Sequence, residues 1–311
     1  MNFVFLVDKL DSFNIKKDTS YILMVAALKR NHQIYAVYRK DISLIDSKLH
    51  FHVKRIKVTH NQDTWYEVLE EKTLIPSEVS AVIVRTDPPF DSHYITDMWL
   101  LDLLPKNILV VNEPMGITAV NEKLWINRFA NLVPKTLITS KVSEYRSFLE
   151  KHKKVIVKPL NGFGGSQIFI AQDDHPNANV IFESVSQNET DYVIVQEFLA
   201  GAANGDKRIH LLGGEILGAL YRIHSSTDFR NNFAKGASCK QANISKKEKE
   251  IIETLKPWLI EMGLHYVGLD IIDEKLIEVN VTSPTTIQEL NFLDDKNYDE
   301  EIIKYIEDRV K

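Results

Sequence analysis

The sequence predicts a mixed α/β protein, α/β in its first third and α+β beyond, and three observations lead there. Short continuous apolar runs at 3–7, 81–85 and 108–112 alternate with helical patterns, as in a parallel sheet with helices on its faces. From about residue 121 the order changes to strand pairs with hairpin-like spacing. Hydrophobic residues make up 44% and charged residues 26%, enough apolar surface for packed cores and too much for disorder. A length of 311 residues predicts two or three domains.

Run 3–7 suits a buried strand, and Asp18 then opens the helical pattern Ile22, Leu23, Val25, Ala26, Leu28. Residues 33–38 form the next strand. A hairpin is expected around Asp46-Ser47, because 50–58 alternates weakly. A helical segment at 94–104 separates the two later apolar runs. Ligands of such sheets gather beyond the carboxyl ends of the strands, where Asp8, Arg85 and Asn112 stand. A domain boundary is expected near 113–120, followed by helices at 122–129 and 143–152. Strands are expected at 154–158, 166–171, 192–198, 208–212, 215–222, 266–272 and 275–281. One long helix interrupts them, from Ser245, which Glu248 completes as a capping box, to Gly263 as its stop. An amphipathic helix at 299–309 closes the chain.

With 38 Lys and Arg against 43 Asp and Glu, the net charge of −5 lacks the basic excess that nucleic-acid binding needs. The one cysteine, Cys239, excludes an intramolecular disulfide and a cysteine zinc site. The first residues carry no cationic segment or cleavage site, and no apolar stretch approaches the length of a membrane span. The expectation is a cytoplasmic protein with neither nucleic acid nor membrane as partner.

Lys158-Pro-Leu-Asn-Gly-Phe-Gly-Gly-Ser166 puts a lysine at a strand end and Gly162, Gly164 and Gly165 just after it. Glycine lets backbone amides approach an anion, so this loop suits phosphates whose charge Lys158 offsets. It is not a Walker loop, since a strand rather than a helix follows. A plain glycine-rich hairpin is the competing reading. Asp270, Glu278 and Asn280 lie on two adjacent predicted strands, with Glu278 and Asn280 on one face by strand periodicity. Three oxygen ligands among apolar residues suit magnesium shared with nucleotide phosphates, against a salt bridge to Lys158 or an arginine. The run 193–199 ends in polar Gln196-Glu197, a strand exit able to offer backbone groups to a purine edge, with Asp206 available for ribose hydroxyls. Arg208 and Arg222 flank an expected Gly213-Gly214 hairpin and suit a transferring phosphoryl group. A strict two-residue turn would send them to opposite faces, so joint action demands a bulge or strand ends. The polar run between Ile223 and Cys239 is expected to be a mobile loop, 223–239.

Together these blocks resemble the bacterial glutathione synthetases, ATP-grasp carboxylate-amine ligases. The likeness extends to Ile15-Lys-Lys-Asp18, Arg85-Thr-Asp-Pro-Pro-Phe-Asp91, Asn121-Glu-Lys123, Gly205-Asp-Lys-Arg208, Val267-Gly-Leu-Asp-Ile-Ile272 and Glu278-Val-Asn-Val-Thr-Ser-Pro284. It implies an ATP-grasp fold preceded by a Rossmann-like N-terminal (pre-ATP-grasp) domain: 1–118 for substrate, 119–198 as the central lid-type part, and 199–311 as the C-terminal ATP-grasp domain. It further implies that Lys123 and Lys158 contact ATP phosphates, that Arg208 stands beside the transferred phosphate, and that Glu197 and Leu199 lie at the adenine. Asp270, Glu278 and Asn280 match magnesium ligands, with manganese as a substitute. Arg85 and Arg222 match arginines at the peptide, and Ser283 and Asn280 fall in a substrate-contacting block. The implied reaction joins gamma-glutamylcysteine to glycine with ATP in a homotetramer. A ligase for another donor or acceptor, or a non-catalytic ATP-binding scaffold, is the alternative. The chain departs from the pattern where Arg230-Asn-Asn-Phe-Ala-Lys-Gly-Ala237 lacks two lid glycines, at Gln288, where arginine is usual, and at Gly116-Ile-Thr-Ala119.

Overall fold

The computed structural model describes residues 1–59, 64–223 and 238–310, which form three sheets. The first sheet contains β1 (Asn2–Leu6), β2 (Gln33–Val37), β3 (Ile42–Ile45), β4 (Lys48–Val58), β5 (Tyr66–Leu74), β6 (Ala81–Val84) and β7 (Leu109–Val111). Its heart is parallel in the order β2-β1-β6-β7, and the hairpins β3-β4 and β4-β5 add an antiparallel flank. Both faces are covered, as the uninterrupted apolar run of β1 predicts. Phe3 and Phe5 pack with α1 (Thr19–Lys29), while Val4 and Leu6 join Met98 and Leu101 of α2 (Ser92–Leu101). Asp18 and Asp91 cap these helices by accepting from the amides of Tyr21 and Tyr94.

α3 (Pro114–Ala119) leads to the second, antiparallel sheet, β10-β9-β11-β8, made of β8 (Thr136–Thr139), β9 (Lys154–Pro159), β10 (Phe169–Gln172) and β11 (Val193–Glu197). α4 (Val142–His152) and α5 (Ala178–Val185) cover one face and form a separate core with Val155, Val157, Val193 and Val195. Strand alternation leaves Ile156, Lys158 and Gln196 for the other face.

The third sheet, β14-β13-β12-β15-β16, contains β12 (Asp206–Leu212), β13 (Glu215–Ile223), β14 (Ser238–Gln241), β15 (Tyr266–Ile272) and β16 (Lys275–Asn280). α6 (Lys246–Glu261) has the expected Ser245–Glu248 capping box and covers one face through Ile251, Leu255 and Leu259. Beneath it, Lys207 donates to both oxygens of Glu248 and to the Asn243 carbonyl. α7 (Ile287–Asp294) and α8 (Tyr298–Glu307) then return to the first sheet, where Glu307 pairs with Arg30 and His32.

Several expectations need correction. The helix expected at 122–129 is only a single 3-10 turn, Trp125–Arg128. The Asn121 side-chain oxygen accepts from the amides of Lys123 and Leu124, a local bond that competes with helix. β5 carried no apolar signal because it is largely exposed and is paired through charges, Arg55 with Glu70 and Lys54 with Glu71. β8, β14, α5 and α7 were also absent from the sequence reading, and β10 begins only at Phe169. Of the loop expected at 223–239, residues 224–237, with Arg230, Asn231 and Ala237, lie outside the described residues; its ends, Ile223 and Ser238, pair across β13 and β14. Among the described residues, no helix is long and apolar enough to cross a membrane.

Asn112, expected beside a ligand, is instead a staple between the first and third sheets. Its amide donates to the carbonyls of Tyr266 (2.8 Å) and Val281 (2.7 Å) and accepts from the Tyr266 amide (2.7 Å). It is 3% exposed, so every group it serves would be left unpaired without it. Close packing continues at Gly116, where a Cβ would lie 2.1 Å from the Met262 carbonyl oxygen. Asn112→Leu is expected to lower unfolding free energy by on the order of 3 kcal/mol, measured by urea titration, because shape is kept while three backbone partners are stranded. A change within a few tenths would show that the staple holds nothing.

Candidate active site

The free faces of the second and third sheets enclose a cavity of about 410 Å³. On the second sheet, Lys158 points into it from β9 and the loop with Gly162, Gly164 and Gly165 forms its rim. Gly164 and Gly165 have φ of 62° and 72°, so this turn uses the conformational freedom that glycine brings. Lys158 is 5% exposed, with no hydrogen bond or ion pair among the described residues. Burial pushes its ammonium pKa down to about 8, against the pull of Glu278, and neighbouring Lys123 adds to the fall. A buried, partnerless cation at a glycine rim is a site made for an anion.

On the third sheet, two bulges set the geometry. In the β12/β13 pair the register shifts at His210/Leu211, which leaves Asp206 opposite Arg222. Arg208 and Arg222 therefore share a face, the outcome that a strict two-residue turn forbids. In the β15/β16 pair, Asp270 stands opposite Glu278 and Gly268 opposite Asn280, with the shift at Asp270/Ile271. The Asp270 carboxylate is gripped by both arginines: Arg208 Nη2 donates to Oδ2 at 2.9 Å, Arg208 Nε to Oδ1, and Arg222 Nη2 to Oδ2 at 2.8 Å. Burial alone would push this carboxyl up, but the two guanidiniums outweigh it and hold it well below the usual range. Asp206 lines the cavity too, with both oxygens taken by Arg222.

Lys123 ties the two sheets together. Its Nζ donates to the Gly162 carbonyl (2.6 Å) and to Glu278 Oε1 (2.7 Å). Its neighbour Glu122 accepts from the amides of Val281 and Thr282 and from the Thr282 hydroxyl. The Glu278 Oε2 and Asn280 Oδ1 atoms have no hydrogen bond among the described residues, while Asn280 Nδ2 donates to the Gly268 carbonyl. Two carboxylates and an amide oxygen on one wall form a hard-oxygen donor set, the chemistry that fits magnesium. Among the described residues, no group of three or more His, Cys, Asp or Glu side chains is arranged for a metal, so the amide is needed to complete the set.

Of the residues singled out in the sequence, Lys123, Lys158, Gly162, Gly164, Gly165, Glu197, Leu199, Asp206, Arg208, Arg222, Asp270, Glu278, Asn280 and Ser283 all line this cavity. Arg85 does not. It borders a small separate void with Asn112, Tyr266 and Thr282, donates to the Ser20 hydroxyl, and keeps Nη1 buried without a partner among the described residues. Gln288, where arginine was expected, donates to the carbonyls of Ile15 and Asp18.

Sequence comparison decides the family. The model of the prokaryotic glutathione synthetase N-terminal domain matches residues 1–118, and that of the ATP-grasp domain of the same family matches 122–295. The chain belongs to the prokaryotic glutathione synthetase family. It is thus an ATP-dependent ligase that forms a peptide bond. It is 36% identical to the glutathione synthetase of Vibrio parahaemolyticus over 308 residues, 98% of either chain. It is 34% identical to that of Escherichia coli K12 over 287 residues, 92% of this chain and 91% of that one. Solved structures share the fold at low identity. D-cycloserine synthetase superposes with a TM-score of 0.69 at 13% identity, covering 99% of this chain and 100% of that one. The ATP-grasp ligase PsnB, complexed with a phosphomimetic precursor variant, Mg and ADP, superposes at 0.62 with 16% identity, covering 99% and 98%.

The sequence reading missed some of the cavity wall of this ATP-grasp ligase. Asp87, in the Asp-Pro-Pro block, lines the wall: it accepts from the Ser283 hydroxyl at 2.6 Å, and its amide donates to Asp8. Glu122, beside Lys123, carried the signal that would have found it; Gln196, read only as part of a strand exit offering backbone groups, also lines the wall. His210 shares the face of Arg208 but is buried under the cavity floor, hydrogen-bonded to Thr286 Oγ1 at 2.9 Å and to the Tyr266 hydroxyl at 3.1 Å. Thr286 itself is in the left-handed region, φ 88°, at the end of the segment that carries Ser283.

The Lys158 environment sets a pH signature. The unfolded chain keeps this proton to about pH 10.5, whereas the folded protein releases it near 8, so between these values the unfolded form binds more protons and stability rises with pH. Lys158→Met is expected to unfold at higher denaturant than the parent at pH 7, by on the order of 3 kcal/mol, with the gap closing toward pH 10. Destabilisation by the same amount at both pH values would mean that Lys158 is a stabilising partner instead.

Proposed function

We propose that this ligase joins the cysteinyl carboxylate of gamma-glutamylcysteine to the amine of glycine, using ATP and magnesium and giving glutathione, ADP and phosphate. The observation that carries the reading is the opposition of Lys158, buried and without a hydrogen-bond partner among the described residues, to the oxygen set of Asp270, Glu278 and Asn280 across one cavity. A carboxylate resists amine attack at neutral pH. Its oxygen attacks the terminal phosphorus of ATP and ADP leaves. The amine then attacks the acyl phosphate, the C–N bond forms, and phosphate departs as the amine loses its proton.

In this reading Lys158 and Lys123 offset phosphate charge, the glycine-rim amides cradle it, and Arg208 stabilises the group in transfer; positioning and electrostatics do most of the catalysis. Asp270, Glu278 and Asn280 would hold magnesium, or manganese as a substitute, which would neutralise phosphate charge when bound. Glu197 and Leu199 border the adenine and Asp206 the ribose. Arg222, Asn280 and Ser283 face the peptide. Arg85 borders a separate void and not this cavity, but its buried Nη1, without a partner among the described residues, is a donor that a peptide carboxylate would satisfy. The division into 1–118, 119–198 and 199–311, a homotetrameric assembly and a cytoplasmic location belong to the same reading; sedimentation measures the assembly.

A phosphate-release screen over dipeptides and amines tests the reaction. Release only with gamma-glutamylcysteine and glycine supports it, release with another pair points to a different ligase, and no release with any pair leaves an ATP-binding scaffold. Glu278→Gln and Asn280→Ala are expected to lower kcat about a hundredfold or more with the melting temperature kept. Parental turnover in either would remove that residue from the metal set. Arg85→Ala is expected to raise the KM for gamma-glutamylcysteine about tenfold or more and to leave ATP affinity by calorimetry unchanged. Equal losses for both ligands would sink this assignment.

A further inference from the structure

The end of the cavity away from Arg208 and Arg222 is apolar. Its apolar lining includes Ile156 of β9 and Pro134 just before β8, with Ile272 of β15 and Ile277 of β16 from the third sheet, a set suited to a flat ring in the slot between the two sheets. At the edge of this slot stands Gln196, 4% exposed, on the inward face of β11. Its side-chain Nε2 donates to Thr136 Oγ1 at 3.0 Å, directly across the ladder on β8.

The direction of that bond is fixed by proton count. The Thr136 hydroxyl has one proton, and it goes to the Pro134 carbonyl at 2.9 Å. Toward Gln196 the hydroxyl can then only accept, so the amide must present its nitrogen to it; the reversed amide would set two acceptors against each other. Oε1 is left for the cavity, and it has no hydrogen bond among the described residues. Along the backbone just beyond, the Glu197 amide is held by the Lys135 carbonyl and the Phe198 amide by that of Lys154, whereas the Leu199 amide, at the cavity, has no partner among the described residues. The slot therefore offers one acceptor and one donor.

A 6-aminopurine presents the complement, an amino donor beside the ring acceptor N1. A 6-oxopurine presents the reverse, a carbonyl acceptor beside an N1–H donor, and meets both groups with like against like. We propose that Thr136 is a positioning residue for nucleotide choice: by locking the Gln196 amide it makes the site select adenine over hypoxanthine and guanine nucleotides. The proposal rests on the ligase reading above, since it needs ATP in this cavity. A site whose buried polar groups are left mispaired by the wrong ligand discriminates by large factors, on the order of a hundredfold or more.

The experiment measures dissociation constants of the magnesium complexes of ATP and ITP, by displacement of a fluorescent ADP analogue, without peptide or amine. Inosine differs from adenosine at the 6-position and at the N1 that follows it, so the pair isolates this edge. The parent is expected to favour ATP by about a hundredfold or more. Thr136→Val frees the amide to turn its nitrogen toward O6; ATP weakens, ITP tightens, and the preference falls by at least about tenfold. Thr136→Ser, which keeps the hydroxyl, restores the parental ratio. Gln196→Met removes the acceptor from within the cavity and gives a second route to the same collapse should the valine variant fail to fold. An unchanged ATP-to-ITP ratio in folded Thr136→Val or Gln196→Met overturns the proposal while the ligase reading stands. A parent that binds neither nucleotide overturns both.

Discussion

Asp270 between Arg208 and Arg222 is the interaction around which the site is arranged. Three charged side chains leave water together, which is costly unless each is paired and hydrogen-bonded. Here Asp206 supplies the fourth partner, so that two carboxylates and two guanidiniums neutralise one another on one face of the third sheet. That balance keeps Asp270 ionised under burial and keeps both arginines extended toward the cavity. It is possible only because the bulge in β12/β13 brings Arg222 to the side of Asp206 and Arg208, and the unshifted β12/β15 register sets Arg208 opposite Asp270.

The opposite wall follows another rule. The second sheet has its own apolar core under α4 and α5, whereas the cores of the first and third sheets run into each other. Asn112 staples that shared body together, and the segment 121–123 links it to the glycine rim: Asn121 Nδ2 bonds to Asn161, Glu122 to Val281 and Thr282, and Lys123 to Gly162 and Glu278. The two walls are thus joined by a few polar contacts over a cavity, and Lys158, unlike Arg208 and Arg222, makes no ion pair among the described residues. The unpaired cation lies on the wall with the independent core; the balanced cluster lies on the wall shared with the N-terminal sheet.

Much of this was legible in the residues. β1, β6 and β7 could be read from their apolar runs because both faces are buried, and α6 from its capping box because that device is local. The glycine rim, Lys158, and the Asp270, Glu278 and Asn280 set could be read from strand ends and alternation. β5 could not, since an exposed strand held by cross-strand charges has no hydrophobic period. Nor could the turn at 125–128, where Asn121 competes with the helix. Asn112 looked like a ligand contact because its place at a strand end is the same whether the neighbour is a substrate or another sheet.

The sequence by itself determined the fold class, the family and most of the residues that meet in the cavity, because apolar periodicity, caps and short blocks are local properties of the chain. Only the tertiary structure decided which partner each polar group has. A register shift put Arg208 and Arg222 on one side of a sheet, packing left Lys158 and the Arg85 Nη1 without a partner among the described residues, and the ladder between β8 and β11 oriented the Gln196 amide through Thr136. Those outcomes depend on contacts between residues far apart in the chain, and a buried hydrogen bond or charge takes its energy from the partner that the fold brings to it.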